Sequence, residues 1–142
     1  MVKVIHGDIF DSPEENYLVN PVNTVGVMGK GLAKEFKERF PEECKSYEKY
    51  YMDARPGDII HHTGDRVIHA ATKQHWKYPS ELSWVESCLK RLRTYAEQAS
   101  VNVSLPLLGC GEGKLNEIEV RQLIDDILGP SHIKFTLYVK SN

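Results

Sequence analysis

Apolar and polar positions alternate along the chain with two different periods, and turns rich in glycine or proline separate the segments. Short, mostly apolar segments bounded by turn residues are typical of buried strands. Six such segments occur, at residues 2–5, 17–22, 57–62, 66–72, 101–108 and 133–139. The turn Thr63-Gly64-Asp65 separates the third segment from the fourth. The pattern predicts six short strands spread over the whole chain.

Apolar side chains three and four residues apart predict helices between these strands. The clearest helix carries Leu82, Val85, Leu89, Leu92 and Ala96 on one face. Pro79-Ser80 opens it, with Ser80 as the predicted N-cap and Glu81 in the first turn.

Two further helices are predicted to follow each other directly. The first carries Leu32, Ala33, Phe36 and Phe40 at helical spacing. Pro41 then interrupts the first helix and occupies the first position of the second helix, where a residue needs no backbone N–H donor. That helix is expected to carry Tyr47 and Tyr51 on one face.

A last helix is predicted from Asn116 to Leu128. Asn116 and Glu119 resemble a capping box at its start, and Gly129-Pro130 stops it. Alternating strands and helices predict an α/β fold whose sheet is covered by helices on both faces. With no repeat, low-complexity tract or linker, residues 1–142 form one predicted domain. In such sheets, ligands bind where strand ends lead into loops.

Composition narrows the class of protein. Hydrophobic residues make up 41% and charged residues 27% of the 142 residues, which is typical of a globular domain. A net charge of −2 argues against a protein that binds nucleic acid by bulk electrostatics. No apolar run approaches the roughly 20 residues of a membrane span, and the N-terminus lacks a secretory signal. Three widely spaced cysteines, Cys44, Cys88 and Cys110, form no disulfide framework, so we expect a reducing, cytoplasmic location.

Two glycine-rich loops each lie between a predicted strand and a helix. They are residues 20–33, NPVNTVGVMGKGLA, and residues 107–114, LLGCGEGK. Glycines let backbone amides approach an anion, and a helix N-terminus adds a favourable dipole. Together the loops indicate a diphosphate held from both sides, while two tight turns without a ligand are the alternative. Neither loop matches GxGxxG or the P-loop pattern, and Lys30 precedes its glycine, which argues against a nucleoside triphosphatase.

Several segments in this order resemble the macrodomain (Appr-1-p processing) family: Gly7-Asp8-Ile9, Asn20, Asn23, residues 25–33 and Gly109-Cys110-Gly111. Residues 24–31 with 34–41, and Thr72-Lys73-Gln74-His75-Trp76 with Pro79-Ser80, are closest to one branch. That branch contains the DarG-type DNA ADP-ribosyl glycohydrolase antitoxins and the terminal ADP-ribose protein glycohydrolases. The resemblance implies a three-layer α/β/α macrodomain with a central mixed, mostly parallel sheet.

The resemblance also implies the residues that bind ADP-ribose. Asp8 would accept a hydrogen bond from the adenine amino group, although an Asp after Gly7 can equally form a turn. Asn23 would hold the distal ribose, Asn20 would shape that turn, and Tyr138 would lie beside the adenine or simply pack. The full implied set is Asp8, Ile9, Asn20, Asn23, Val27, Met28, Gly29, Lys30, Gly31, Leu32, Thr72, Gly109, Cys110, Gly111, Glu112, Gly113 and Tyr138.

Lys73 is the catalytic residue that the resemblance implies. In this branch the matching lysine acts on the anomeric carbon of the distal ribose and can form a covalent sugar adduct. A catalytic lysine must be held near its target and be partly deprotonated. The alternative is a solvent-exposed lysine in the basic cluster of residues 73–77.

The second loop departs from the pattern of the branch. Gly113 stands where the vertebrate members have an acidic residue, and Glu112 and Lys114 replace an Asn and a Gly of the antitoxins. Glu112 is a candidate for general acid–base help or simply faces solvent. A carboxylate near a diphosphate is unfavourable unless a cation such as Lys114 offsets it.

The leading functional hypothesis is a hydrolase that removes ADP-ribose from modified DNA or protein. Two alternatives stay open: a phosphatase acting on ADP-ribose 1''-phosphate, and a reader that binds ADP-ribose without chemistry. The chain is expected to act as a monomer without a cofactor, metal or membrane, and the resemblance implies that an ADP-ribosyltransferase toxin can accompany it. Trp76, among Lys73, His75 and Lys77, is a candidate contact for a modified nucleic-acid strand.

Overall fold

Six strands form one sheet in the computed structural model, which describes residues 2–140 apart from the side chain of Met52. They are β1 Lys3–His6, β2 Tyr17–Asn23, β3 Ile59–Ile60, β4 Val67–Lys73, β5 Val103–Leu105 and β6 Phe135–Val139. Their order across the sheet is β1-β6-β5-β2-β4-β3. Every neighbouring pair is parallel except β3 with β4, which is antiparallel. The prediction of a mixed, mostly parallel sheet is confirmed.

The α-helices are α1 Gly31–Arg39, α2 Pro41–Tyr50, α3 Leu82–Ala99 and α4 Glu117–Leu128. Short 3-10 turns occupy Ile9–Asp11 and Tyr51–Asp53. Pro41 is the first residue of α2, as predicted. The Asn116 side chain caps α4 by accepting from the backbone N–H groups of Ile118 and Glu119 at 2.9 and 3.1 Å. Within residues 2–140, no helix is long and apolar enough to cross a membrane.

Alternate residues of the central strands feed two separate hydrophobic cores. In β2, Val19 points into the core beneath α3 and α4, whereas Leu18 and Val22 point into the core beneath α1 and α2. In β4, Ile68 belongs to the first core and Val67 to the second. Because successive side chains of a strand face opposite ways, this division produces three layers, with helices on both faces of the sheet.

Two predicted strands are shorter in the structure. The segment predicted as 57–62 pairs only at Ile59–Ile60, and that predicted as 101–108 pairs only at Val103–Leu105. Pro106 follows β5 directly and has no N–H to continue the ladder. The rest of that segment is a buried loop that leads to the carboxyl end of the sheet.

Two local predictions about helix ends were wrong. Glu81, not Ser80, is the N-cap of α3, and its side chain makes no capping hydrogen bond; the Ser80 hydroxyl instead donates to the carbonyl of Thr72. Tyr51 lies in the 3-10 turn after α2 rather than on the helix with Tyr47. The prediction that Gly129-Pro130 stops α4 is confirmed: the helix ends at Leu128, and its C-cap Gly129 keeps a right-handed conformation.

Candidate functional site

A cavity of about 880 Å³ opens at the carboxyl ends of the parallel strands. Residues from the ends of β1, β2, β4, β5 and β6 line it, and its size lies within the range of about 300–1,000 Å³ usual for small-ligand sites. The predicted site residues that line it are Asp8, Ile9, Asn23, Val27, Gly29, Lys30, Gly31, Leu32, Thr72, Lys73, Gly109, Cys110, Gly111, Glu112, Gly113 and Tyr138. The fold therefore brings sixteen positions from five distant segments to one place.

The first loop is held in shape by the side chain of Asn23. Its Nδ2 donates to the carbonyl of Val27 at 2.8 Å, and its Oδ1 accepts from the N–H groups of Val25 and Val27 at 3.2 Å each. A register shift between Val22 and Asn23 pairs Asn23 with Lys73 on β4. The amide therefore organises the loop beside Lys73. Asn23 also lines the cavity, and its implied contact with the distal ribose stays a prediction.

The first loop ends at the N-terminus of α1. Lys30 is the N-cap and makes no side-chain capping hydrogen bond. Gly31, Leu32 and Ala33, which begin the helix, line the cavity. The first backbone N–H groups of a helix have no partner within it, and the helix dipole favours negative charge there. This end of the cavity is suited to an anion such as a diphosphate.

The second loop is closed by contacts between backbone atoms. Gly109 has a φ of +77°, and its carbonyl accepts from the N–H of Leu115 at 2.9 Å. A Cβ on Gly113 would lie 2.4 Å from the carbonyl oxygen of Gly109, closer than two such atoms can approach. In this backbone, Gly113 has no room for the acidic side chain found at that position in the vertebrate members of the branch.

The two loops approach each other across the cavity. A Cβ on Gly31 would lie 3.6 Å from Cγ of Glu112, which is ordinary van der Waals contact. Glu112 is exposed and lines the cavity together with Lys114. A cation therefore accompanies the carboxylate at the same rim, as the electrostatics of a diphosphate site require.

Lys73, the last residue of β4, is buried with 8% of its surface exposed. Its Nζ donates to the carbonyls of Trp76 at 2.8 Å and Glu112 at 3.2 Å. Burial lowers the pKa of the amine; the Glu112 carboxylate opposes this shift and Lys114 adds to it. The alternative of a solvent-exposed lysine is excluded, and a buried amine with a lowered pKa is chemically suited to act as a nucleophile.

Ser80 links the strand end that carries Lys73 to the second loop. Its hydroxyl donates to the carbonyl of Thr72, and its backbone N–H donates to the carbonyl of Gly113 at 2.9 Å. A Cβ on Gly109 would also meet the Ser80 hydroxyl at 3.2 Å. One residue thus holds β4 and the second loop at a fixed separation.

Asp8 lies at the end of the cavity formed by β1 and β6. Its Oδ1 accepts from the N–H of Phe10 at 2.9 Å and caps the 3-10 turn, which fixes the carboxylate. Tyr138 and Lys140 line the cavity from the neighbouring strand end. Lys140 pairs with Glu35 of α1 at 3.5 Å, so an ion pair joins β6 to α1 here. Asp8 therefore forms a turn and also lines the cavity.

Asn20 and Met28 lie outside the cavity, in the core beneath α1 and α2. Asn20 is fully buried, and its Nδ2 lies 3.2 Å from Nδ1 of His69 and 3.9 Å from the sulfurs of Met28 and Cys44. Burial lowers the pKa of His69 to about 4 and keeps it neutral. Asn20 lies midway between Leu18 and Val22 in β2, so the two-residue period of a strand places all three side chains on the same face. This pattern is the sequence signal that places Asn20 in the core.

The structure adds thirteen cavity residues to the predicted set: Gly7, Pro21, Val22, Ala33, Glu35, Trp76, Lys77, Pro106, Leu107, Lys114, Glu117, Val139 and Lys140. Most of them are immediate neighbours of predicted positions and share their strand ends. Glu35 and Glu117 instead reach the cavity from helices, and no local pattern in the sequence marks them.

Cys110 is poorly suited to act as a nucleophile. Burial, together with the nearby Glu117 carboxylate, raises the pKa of the Cys110 thiol to about 11, so the nucleophilic thiolate is disfavoured. Among residues 2–140, no three His, Cys, Asp or Glu side chains come together in a way that could hold a metal ion.

Residues 19–124 match the Macro domain family. The chain belongs to the macrodomain family. This macrodomain is 36% identical over 140 residues to the DNA ADP-ribosyl glycohydrolase of Thermus aquaticus, an alignment that covers 90% of the chain and 38% of that protein. The solved macrodomain of Thermus aquaticus DarG superposes with a TM-score of 0.86 at 34% identity, covering 100% and 99% of the two chains.

A protein of Thermosipho africanus provides a second comparison. It is named as a fusion of a DNA ADP-ribosyl transferase with a DNA ADP-ribosyl glycohydrolase, and it is 32% identical over 97% of this chain and 42% of its own length. Thermosipho africanus DarTG in complex with ADP-ribose superposes with a TM-score of 0.86 at 28% identity, over 96% of this macrodomain and 40% of that chain. The macrodomain thus spans less than half the length of these curated relatives. The recognised family, its DarG-type branch and the three-layer fold are all confirmed.

Proposed function

We propose that this macrodomain binds ADP-ribose in the cavity and hydrolyses the bond between its distal ribose and DNA, with Lys73 as the catalytic residue. The observation that carries this proposal is the position of Lys73, whose buried amine lies at the cavity wall between the two glycine loops. The relatives from Thermus aquaticus and Thermosipho africanus, both named as DNA ADP-ribosyl glycohydrolases, support DNA as the carrier.

In this proposal each part of the cavity binds a different part of ADP-ribose. The N-terminus of α1 and the backbone N–H groups of the second loop hold the diphosphate. Asp8, fixed by its bond to Phe10, accepts from the adenine amino group, and Tyr138 flanks the ring. The distal ribose then lies next to Lys73, because Lys73 contacts the second loop through the carbonyl of Glu112.

The reaction proceeds in two steps. The neutral amine of Lys73 attacks the anomeric carbon, and the bond from that carbon to the DNA base breaks. The electron pair goes to the base, and a proton released by the attached amine passes to it. Water then adds to the sugar carbon and the amine leaves, which gives ADP-ribose and free Lys73. Glu112, at the rim, is the candidate group to transfer the proton.

The biological setting follows from the same relatives. We infer that a DNA ADP-ribosyltransferase makes the modification that this macrodomain removes, because the Thermosipho africanus relative joins both activities in one fusion. The free thiols of Cys44, Cys88 and Cys110 support action in the reducing cytoplasm, and we propose that the macrodomain acts there as a monomer.

The test is a panel of ADP-ribosylated single-stranded DNA, glutamate-modified protein and ADP-ribose 1''-phosphate, given to the wild type, Lys73→Ala and Lys90→Ala. Lys90 is an exposed lysine of α3 and serves as the control. We expect the wild type and Lys90→Ala to release ADP-ribose from DNA, and Lys73→Ala to bind ADP-ribose in calorimetry without releasing it. Turnover of DNA by Lys73→Ala at the wild-type rate would disprove the mechanism, and phosphate release without DNA turnover would disprove the activity.

A further inference from the structure

Three aromatic rings cluster just after Lys73 in the chain. His75, Trp76 and Tyr78, which we call the aromatic platform, have ring centroids 5.2 Å apart between His75 and Trp76 and 5.7 Å apart between His75 and Tyr78. Trp76 is 50% exposed and Tyr78 is 62% exposed. Large aromatic side chains with this much free surface are candidates for a binding role.

The segment that carries the platform is anchored on both sides of the cavity. The carbonyl of Trp76 accepts from Nζ of Lys73 at 2.8 Å, and the carbonyl of Gln74 accepts from the hydroxyl of Thr24 at 2.8 Å. The N–H of Lys77 donates to Nδ1 of His75 at 3.0 Å, which fixes the imidazole. The backbone of the segment and the imidazole of His75 are therefore held in place before any ligand arrives, which lowers the entropy cost of binding.

The platform extends from the cavity outwards. Trp76 and Lys77 line the cavity wall, whereas Tyr78 lies beyond it. When ADP-ribose fills the cavity with its linkage at Lys73, the molecule that carries the ADP-ribose must extend out of the cavity past Lys73. The chain on which the ADP-ribose is carried then passes over the platform.

We propose that the aromatic platform binds the nucleotides next to the modified one in a single-stranded DNA substrate, with unpaired bases stacked on Trp76 and Tyr78. This inference rests on the proposed hydrolase function and assigns a surface to its substrate. Every base has a π-face, so stacking on aromatic rings binds a single strand with little regard to sequence. The exposed lysine Lys77 lies between the two rings in the chain and supplies a charge for the phosphate backbone.

The charge of the macrodomain favours stacking over bulk attraction. Its net charge is −2, and Glu112 and Glu117 line the same cavity as Lys73, Lys77 and Lys114. A mixed rim does not attract a polyanion strongly over a distance. Aromatic contacts must therefore provide most of the affinity for the strand. In a double-stranded segment the bases stay paired and stacked on each other, so their faces are covered. The platform therefore selects unpaired DNA.

Tyr78→Ala is the decisive variant, because Tyr78 lies outside the cavity. Its matched control is Tyr50→Ala: Tyr50 is 46% exposed, lies 5.1 Å from the ring of His62 and next to Lys49, and does not line the cavity. The substrates are an ADP-ribosylated single-stranded oligonucleotide, the corresponding ADP-ribosylated mononucleoside and an ADP-ribosylated protein. We expect Tyr78→Ala to raise KM for the oligonucleotide by about 5- to 150-fold, which corresponds to about 1–3 kcal/mol of base stacking.

The other outcomes are equally specific. Tyr78→Ala should leave KM for the mononucleoside and the protein unchanged, and Tyr50→Ala should leave all three unchanged. An equal rise of KM for every substrate, or no rise for the oligonucleotide, would overturn the platform.

A binding experiment separates the platform from the hydrolase function. Unmodified single-stranded DNA should quench the tryptophan fluorescence of the wild type, less in Tyr78→Ala and very little in Trp76→Phe. Trp84, which is half-buried on α3, supplies the remaining signal. Quenching that is unaffected by both substitutions would overturn the platform even if the enzyme removes ADP-ribose. Quenching that follows this pattern would support the platform even if no substrate is turned over.

Discussion

The two glycine loops each contain three glycines and line the same cavity, yet they are held by different atoms. In the first, one side chain, the amide of Asn23, makes three hydrogen bonds that shape the backbone up to Val27. In the second, backbone packs directly on backbone, with Gly113 against Gly109. The first loop depends on one polar side chain, while the second depends on the absence of side chains.

This difference predicts where each loop tolerates change. The first loop should accept substitutions at positions other than Asn23 that leave its three bonds intact. The second should reject any side chain at Gly113 but accept one at Gly111, where an added Cβ would meet no atom within 4 Å.

The largest effect is expected from Gly113→Ala. A Cβ 2.4 Å from the Gly109 carbonyl oxygen must push two backbone segments apart, and overpacking of this kind costs about 3 kcal/mol or more. Urea unfolding should show this loss of free energy of unfolding. Gly111→Ala, the control in the same loop, should change it by less than about 0.5 kcal/mol. Equal stabilities of the two variants would refute the backbone account of the second loop.

A smaller effect is expected from Asn23→Ala. Loss of the amide leaves the carbonyl of Val27 and two N–H groups without their partner, at a cost of about 1–3 kcal/mol. Because the loop no longer keeps its shape, the Kd for ADP-ribose in calorimetry should rise about tenfold, or 1.4 kcal/mol. Asn23→Asp keeps the accepting Oδ1 and loses the donor, so its Kd should lie between the two. An unchanged Kd in Asn23→Ala would show that the loop is shaped by other contacts.

The smallest effect concerns the pH dependence of the reaction. If the neutral amine of Lys73 attacks the sugar, kcat/KM rises with pH and levels off below the ordinary lysine pKa of 10.5, because burial lowers the pKa of Lys73. Lys114 also lowers this pKa, so Lys114→Ala should move the rising limb to higher pH. Glu112 raises it, so Glu112→Gln should move the limb to lower pH. Shifts of the same sign in the two variants would contradict the assignment of Lys73.

The layered fold was predictable because its signals are local. The period-2 alternation that separates Val19 from Leu18 and Val22 is written along one strand, and it specifies which helix layer each residue meets. The helix ends that were predicted wrongly depend on contacts between separate segments or on the geometry of the folded backbone. Ser80 has the composition of an N-cap, but its hydroxyl bonds to Thr72, which only the folded chain brings near.

The candidate site was predictable where strand ends meet loops, and less so elsewhere. Asp8, Lys73 and Gly109 lie at or just after the carboxyl ends of parallel strands, so a parallel sheet must gather them at one edge. The ion pair of Glu35 with Lys140 joins residues 105 positions apart, and no rule of sequence spacing predicts it. An amide beside a glycine loop resembles a ligand contact, whereas its position in β2 buries Asn20 outside the cavity.

The bonds of Ser80 have an evolutionary consequence. Because Ser80 fastens both Thr72 and Gly113, the segment between residues 73 and 80 has a fixed length but free side chains at its tip. Drift at His75, Trp76 and Tyr78 can change which macromolecule is accepted without moving Lys73, the proposed catalytic residue. We expect related chains to keep the spacing between these two anchors while their tip residues diverge with the substrate.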